Sequence, residues 1–246
     1  GQDMHRIWNS EFGEIAVQEG FERYPDFFLP LASVEPIDEC GRFSKEKFDY
    51  VVDRIDNAHY RGIYFAPPYG QFSSNDPAMF PYYEFARDRG AVVQFHHSAA
   101  GGPTVLAHTK YVQMEKLNDV TFNFPDLKIV IEHLAYPFSE YMFTMMINDK
   151  NLWVDLAMMY RRPFWMTWNL VMAKEMGVID RVMFATDFVS ANCDLFGDNP
   201  TQDILEWVEL IKHGMNRICD KAGWPTFTQA EINGILHDNA ARLYGL

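Results

Sequence analysis

Cysteine is scarce in this chain. Cys40, Cys193 and Cys219 are three in 246 residues, odd in number and far apart, so no disulfide framework is expected and a reducing compartment fits. None belongs to a CxxC pair, which argues against thiolate zinc. Positive charge is also short: the formal net charge is −13, against a nucleic-acid or anionic-membrane surface. That balance leaves a small-molecule site open, because a metal or a few local charges set the sign there. No apolar run reaches 18 residues, and the opening GQDMHRIWNSEF is not a signal peptide. GxGxxG and GxxxxGK[ST] are both missing, which lowers the nucleotide-binding options. These absences predict a cytoplasmic protein with a small-molecule substrate and neither nucleic acid nor membrane as partner.

What is present is a core. Hydrophobic residues make up 48% of the chain and aromatics 15%, ample for one packed domain over 1–246 and too much for disorder. No repeat or linker divides it; short apolar runs alternate with amphipathic stretches. Strands are expected at 27–34, 62–68, 91–96, 127–134, 152–157 and 181–188. Helices are expected over 5–22, 44–60 with Ser44 as N-cap, 76–90 ending at Gly90, about 104–119, 138–147, 162–176, 201–221 and 228–243. Strand–helix alternation of this kind indicates a parallel α/β sheet covered on both faces. Both a barrel and a doubly wound sheet fit. The barrel is favoured because His96, His133 and Asp187 fall at the C-terminal ends of separate strands, the face that carries TIM-barrel active sites.

The stretch VVQFHHSAAGG, residues 92–102, brings apolar residues straight into two histidines. Alternation puts Gln94 and His96 on one face and Val93, Phe95 and His97 on the other, so His96 points inward and His97 begins the loop. The same parity groups Ile129, Ile131 and His133, and Met183, Ala185 and Asp187. It sends Glu132 toward the helices, as a buried structural pair or a local irregularity. Imidazole with carboxylate is a donor set for zinc or a related divalent ion, whose bound water is acidic enough to attack near neutral pH. A hydrogen-bonded structural histidine is the plainer reading of any one strand end, and Asp187 before Phe188 suits a turn as well. His5, His59, His108, His213 and His237 are expected on helices or helix ends at the surface. The stretch MMYRRPFWMTWNLVM is expected to pack in the core or against another subunit.

Several segments carry a family resemblance. FPDLKIVIEHLAYPF resembles the FPDLKIVLAHLGG signature of the amidohydrolase-related (amidohydrolase 2) family, the branch of aminocarboxymuconate-semialdehyde decarboxylase and the aromatic-acid decarboxylases. RYPDFFLPLASVEP resembles its RYPDRFVGFASVDP segment. NLWVDLA, DRVMFATDF and ILHDNAARLYGL are similar to its last two strands and C-terminal NAxRLxGL helix. The resemblance implies a TIM-barrel (β/α)8-type metal-dependent hydrolase fold. It implies His96 as a metal ligand, His133 as a proton-transfer residue or ligand, and Asp187 as a metal ligand or water-activating base. It further implies zinc, or manganese, as cofactor and a homodimer, for which the Met-, Phe- and Trp-rich stretch 141–172 offers a surface.

Two departures from the family pattern shape the expectation. The HxH or ExH of the family's first strand has no counterpart here, and the resemblance begins at its second helix. The first two strands are therefore expected to be absent from this chain, as in an N-terminally incomplete version of a longer protein. In addition, the family's HLGG is HLAY here, and the lysine of its GxK is replaced by Tyr64. The expected activity is a metal-dependent hydrolase or decarboxylase of a small aromatic or carboxylated compound. The alternative is a catalytically silent scaffold without a complete metal site.

Overall fold

The computed structural model describes residues 11–98, 108–187 and 199–246. His5, Cys193, Phe188 and the expected helix start at 104–107 lie outside the described residues. The chain forms two compact units, Gly1–Phe138 and Ser139–Leu246.

In the first unit, α1 (Glu11–Arg23) precedes β1 (Leu31–Ser33), α2 (Lys45–Asp56), β2 (Gly62–Phe65), α3 (Phe80–Arg89), β3 (Val92–Phe95), α4 (Met114–Asn123) and β4 (Lys128–Ile131). The four strands pair in sequence order and all are parallel. Their runs are apolar on both faces because helices cover parallel sheets on both sides. Ser44 caps α2 by accepting from the Lys47 N–H, and Val51 is its buried anchor. Gly90 ends α3 in the left-handed conformation, as expected from a glycine at that position. Gly62 answers a different need: a Cβ there would sit 2.1 Å from the Val92 carbonyl oxygen, so only glycine lets β2 and β3 approach.

Behind the sheet, Phe65, Phe95, Tyr82 and Tyr83 are fully buried and pack edge-on or tilted at centroid distances of 5.5–6.1 Å. Each phenol has an acceptor, Pro36 O at 3.2 Å for Tyr82 and Ser74 O at 2.6 Å for Tyr83, so these rings fill the core without an orphaned hydroxyl.

The second unit contains α5 (Ser139–Asn148), β5 (Leu152–Asp155), α6 (Pro163–Glu175) and β6 (Val182–Met183), with β5 and β6 parallel. α7 (Pro200–Glu209) runs through a π-turn at Leu210–Gly214 into α8 (Met215–Ala222). α9 (Gln229–Asn233) continues likewise through Gly234–Asp238 into α10 (Asn239–Tyr244). Asn239, the asparagine of NAARL, donates from Nδ2 to the Ile179 and Val182 carbonyls at 3.2 and 2.8 Å, tying the last helix to β6. From the methionine-rich stretch, Met159, Met166, Leu170 and Val171 are buried, while Phe164 and Trp168 are 71% and 44% exposed. Core packing thus accounts for six of its fifteen residues, and four are exposed. Among the described residues no helix is long and apolar enough to cross a membrane.

The strands are shorter than the apolar runs suggest. β2 stops at Phe65 because Pro67 and Pro68 open a single helical turn, Pro67–Gly70. β6 spans two residues, since the Phe184 N–H leaves the sheet to donate to Ile235 O at 2.7 Å. The helix expected from about 104 begins at Met114, after a 3-10 turn at Thr109–Tyr111 capped by the His108 side chain. His59, His108, His213 and His237 are all exposed, as the surface reading requires.

Candidate metal centre

His96 follows β3 directly, and its N–H donates to Phe65 O at 2.9 Å, prolonging the ladder by one step. Its ring points to the face that carries Gln94. The register decides what it meets. Gln94 pairs with Val130 and Phe95 with Ile131, so the positions facing His96 continue from Val130 to Glu132. The alternation read from the sequence, which grouped His133 with the inward face and sent Glu132 to the helices, is corrected here. Glu132 is the inward residue, buried to 8% exposure.

His133 reaches the same place by another route. β4 ends at Ile131, and His133, Leu134 and Ala135 all take positive φ (59°, 52° and 55°). Three consecutive non-glycine residues in the left-handed region are costly and mark a site that the surroundings enforce. This irregularity swings His133 back over the strand end, where it is 5% exposed.

Three donor atoms thus converge. His96 Nδ1 lies 3.2 Å from Glu132 Oε2 and 3.1 Å from His133 Nε2, and His133 Nε2 lies 3.5 Å from the same Oε2. A ring nitrogen carries either a hydrogen or a lone pair, never both. No tautomer therefore turns all three contacts into separate hydrogen bonds. A cation accepts all three lone pairs at once. For metal–ligand bonds of about 2.0–2.1 Å, the edges of a tetrahedral site are about 3.3–3.4 Å, which the observed triangle matches. The donor set fits a divalent ion.

The surroundings hold the triad in place. Gln94 Nε2 donates to Glu132 Oε1 at 2.6 Å, and the Tyr64 hydroxyl lies 3.5 Å from Oε2. The Tyr69 ring packs on His96 at 4.8 Å, and Ser98 Oγ stands 3.5 Å from its Nε2. Burial opposes ionisation of Glu132, but the hydrogen bond with His96, the two imidazoles beside it and Gln94 outweigh that and hold the carboxyl below its usual range. The site therefore presents a carboxylate beside two imidazole nitrogens.

His97 has a separate role. Its ring is fully buried on the opposite face, with Nε2 donating to Gln113 O at 3.3 Å. Burial is the main reason its pKa falls to about 4, so it stays a neutral packing residue. Asp187 belongs to the second unit, four residues beyond Met183, with a φ of 52°. Asp155, which the sequence reading did not single out, ends β5 buried at 4% exposure, its Oδ1 accepting from the Ala157 N–H at 3.0 Å.

Of the residues expected from sequence, His96 and His133 are brought together. Gln94 does share the face of His96 and Glu132 is a buried, paired residue, as expected, but neither was expected in the donor set or its support. Aligning VVQF with KIVI without a gap sets HH over EH and would have placed Glu132 opposite His96; counting parity within each strand alone did not.

The Amidohydrolase family model matches residues 29–246. No curated protein matches the chain. Among solved structures, an uncharacterised TIM-barrel protein of Bordetella bronchiseptica shares 22% identity at a TM-score of 0.68, covering 94% of this chain and 71% of its own. A dihydroxybenzoic acid decarboxylase of Polaromonas sp. JS666, with bound manganese and the inhibitor 2-nitroresorcinol, shares 14% at 0.65, covering 96% and 75%. A 5-carboxyvanillate decarboxylase of Novosphingobium aromaticivorans DSM 12444, complexed with manganese and 4-hydroxy-3-methoxy-5-nitrobenzoic acid, shares 13% at 0.64, covering 100% and 72%. At these identities the likeness is one of fold, an α/β architecture of the TIM-barrel type.

Proposed function

The chain belongs to the amidohydrolase family, and from that premise we propose that it is a divalent-metal-dependent carboxy-lyase acting on a small carboxylated aromatic compound. The observation that carries the reading is the buried convergence of His96, Glu132 and His133 at the ends of β3 and β4. In this reading those three side chains hold the ion, zinc or manganese. An ion bound there supplies positive charge toward the oxygens of a substrate's carboxylate and neighbouring hydroxyl.

The chain's own residues do the rest. Tyr69 fixes the plane of the His96 ring, and the anionic Glu132 sets the charge of the donor set. A proton takes the place of the departing carboxylate on the ring carbon as that bond breaks and carbon dioxide leaves; Asp187 or His133, the residues to which the family resemblance gives catalytic roles, is the proposed donor. Decarboxylation is preferred over hydrolysis because manganese-bound aromatic-acid decarboxylases share the fold. The proposal includes a cytoplasmic homodimer, for which exposed Tyr141, Ile147, Phe164 and Trp168 of the second unit supply apolar surface.

The test combines metal analysis with a panel of hydroxybenzoates and lactone analogues. Carbon dioxide release that requires added zinc or manganese, and that is lost in His96→Ala and Asp187→Asn, supports the reading. Lactone hydrolysis without carbon dioxide release would move the chain to the hydrolases. Full metal loading with no turnover on either class would favour a silent scaffold.

A further inference from the structure

We infer that Gln94 is a positioning residue of the metal centre: its carboxamide holds Glu132 so that the carboxylate offers the ion one oxygen, Oε2, and keeps the other engaged. The inference rests on the metal reading above and specifies how that site is built.

The geometry is direct. Gln94 stands two residues before His96 on the same face of β3, and its register partner Val130 stands two residues before Glu132 on β4. Side chains two positions apart on neighbouring strands are within reach of each other when one is as long as glutamine. The contact is short, 2.6 Å from Gln94 Nε2 to Glu132 Oε1. Because an ionised carboxylate only accepts, the amide must turn its NH2 toward Glu132, which fixes its orientation. With Oε1 taken, Oε2 is the oxygen that faces both imidazoles, at 3.2 and 3.5 Å.

The consequence concerns open positions. Two nitrogens and one oxygen leave room for a substrate's oxygens at a divalent ion, as in catalytic sites with three protein ligands. A carboxylate free to rotate can chelate through both oxygens and close one of those positions. Gln94 prevents this without itself touching the ion. Residues of this kind typically change metal affinity by about 10–100-fold when removed.

The experiment uses the full chain stripped with a chelator and titrated with cobalt(II), whose visible absorption reports coordination number. The parent, His96→Ala, Gln94→Leu and Gln94→Asn are compared, with circular dichroism to confirm folding. The parent is expected to give an intense visible band of low coordination, and His96→Ala none. Gln94→Leu is expected to bind about 10–100-fold more weakly, with a weaker band as Glu132 adds its second oxygen. Gln94→Asn, polar but one methylene short, should fall between, and it decides the matter if the leucine variant does not fold. Parent-like affinity and spectrum in the folded Gln94 variants, with His96→Ala devoid of cobalt, would overturn this inference and leave the metal reading standing. No cobalt binding by the parent would overturn both.

Discussion

The buried neutral imidazole of His97 makes a measurable demand on the pH dependence of folding. In the folded chain its pKa is about 4, against an ordinary value of 6.5. Burial is the main cause, aided by His96 and Lys116 and opposed by the Gln113 carbonyl. Because the folded pKa is the lower one, the unfolded chain binds the proton more readily between pH 6.5 and 4. The stability is therefore fully present above 6.5 and is lost as pH falls toward 4, below which both states are protonated and nothing further is lost. The full gap corresponds to about 3 kcal/mol, and integration from pH 7 to pH 5 gives about 2 kcal/mol. His97→Gln removes the titration while its amide can still donate to Gln113 O. Urea denaturation at pH 7, 6 and 5 should show the parent losing about 2 kcal/mol more than the variant over that span. Parallel curves for the two proteins would refute the reasoning.

Three further outcomes follow from the structure. Adding zinc or manganese at about 100 times its dissociation constant should stabilise the chelator-stripped chain by about 2.7 kcal/mol. That is a rise in melting temperature of roughly 5–10 °C for a chain of this size, absent in His96→Ala when followed by calorimetry. Gly62→Ala forces a methyl to 2.1 Å from the Val92 carbonyl and should cost more than about 3 kcal/mol, seen as loss of soluble protein or of the cooperative urea transition. Asn239→Ala removes both hydrogen bonds to the carbonyls before and within β6. It should cost about 2–3 kcal/mol in urea, whereas substitution of the exposed neighbour Asp238 should cost under about 0.5 kcal/mol.

Much of the scaffold is legible without coordinates. The parallel strand order, the Ser44 cap and the glycine end of α3 all follow from local chemistry: alternation of apolar runs, a hydroxyl before a helix, a residue free to take positive φ. His96 was legible too, because two adjacent histidines ending a strand sit where a parallel sheet presents its chemistry. Element ends were less so. β2, β4 and β6 stop early because prolines, a left-handed run and a competing Ile235 carbonyl intervene, and only the first of these leaves a plain sequence mark.

The composition of the candidate metal centre belonged to the tertiary structure. The chain alone determined that strand-end histidines and a carboxylate exist and that the surrounding core is apolar. Whether Glu132 or His133 faces His96 depended on the β3–β4 register, and a shift by one residue reverses every side chain. The register made Glu132 the inward neighbour and put Gln94 within reach of it. The left-handed path through His133, Leu134 and Ala135 then returned His133 to the same point, so that residues of both parities share one site. No periodicity encodes that, because it arises where the periodic structure ends.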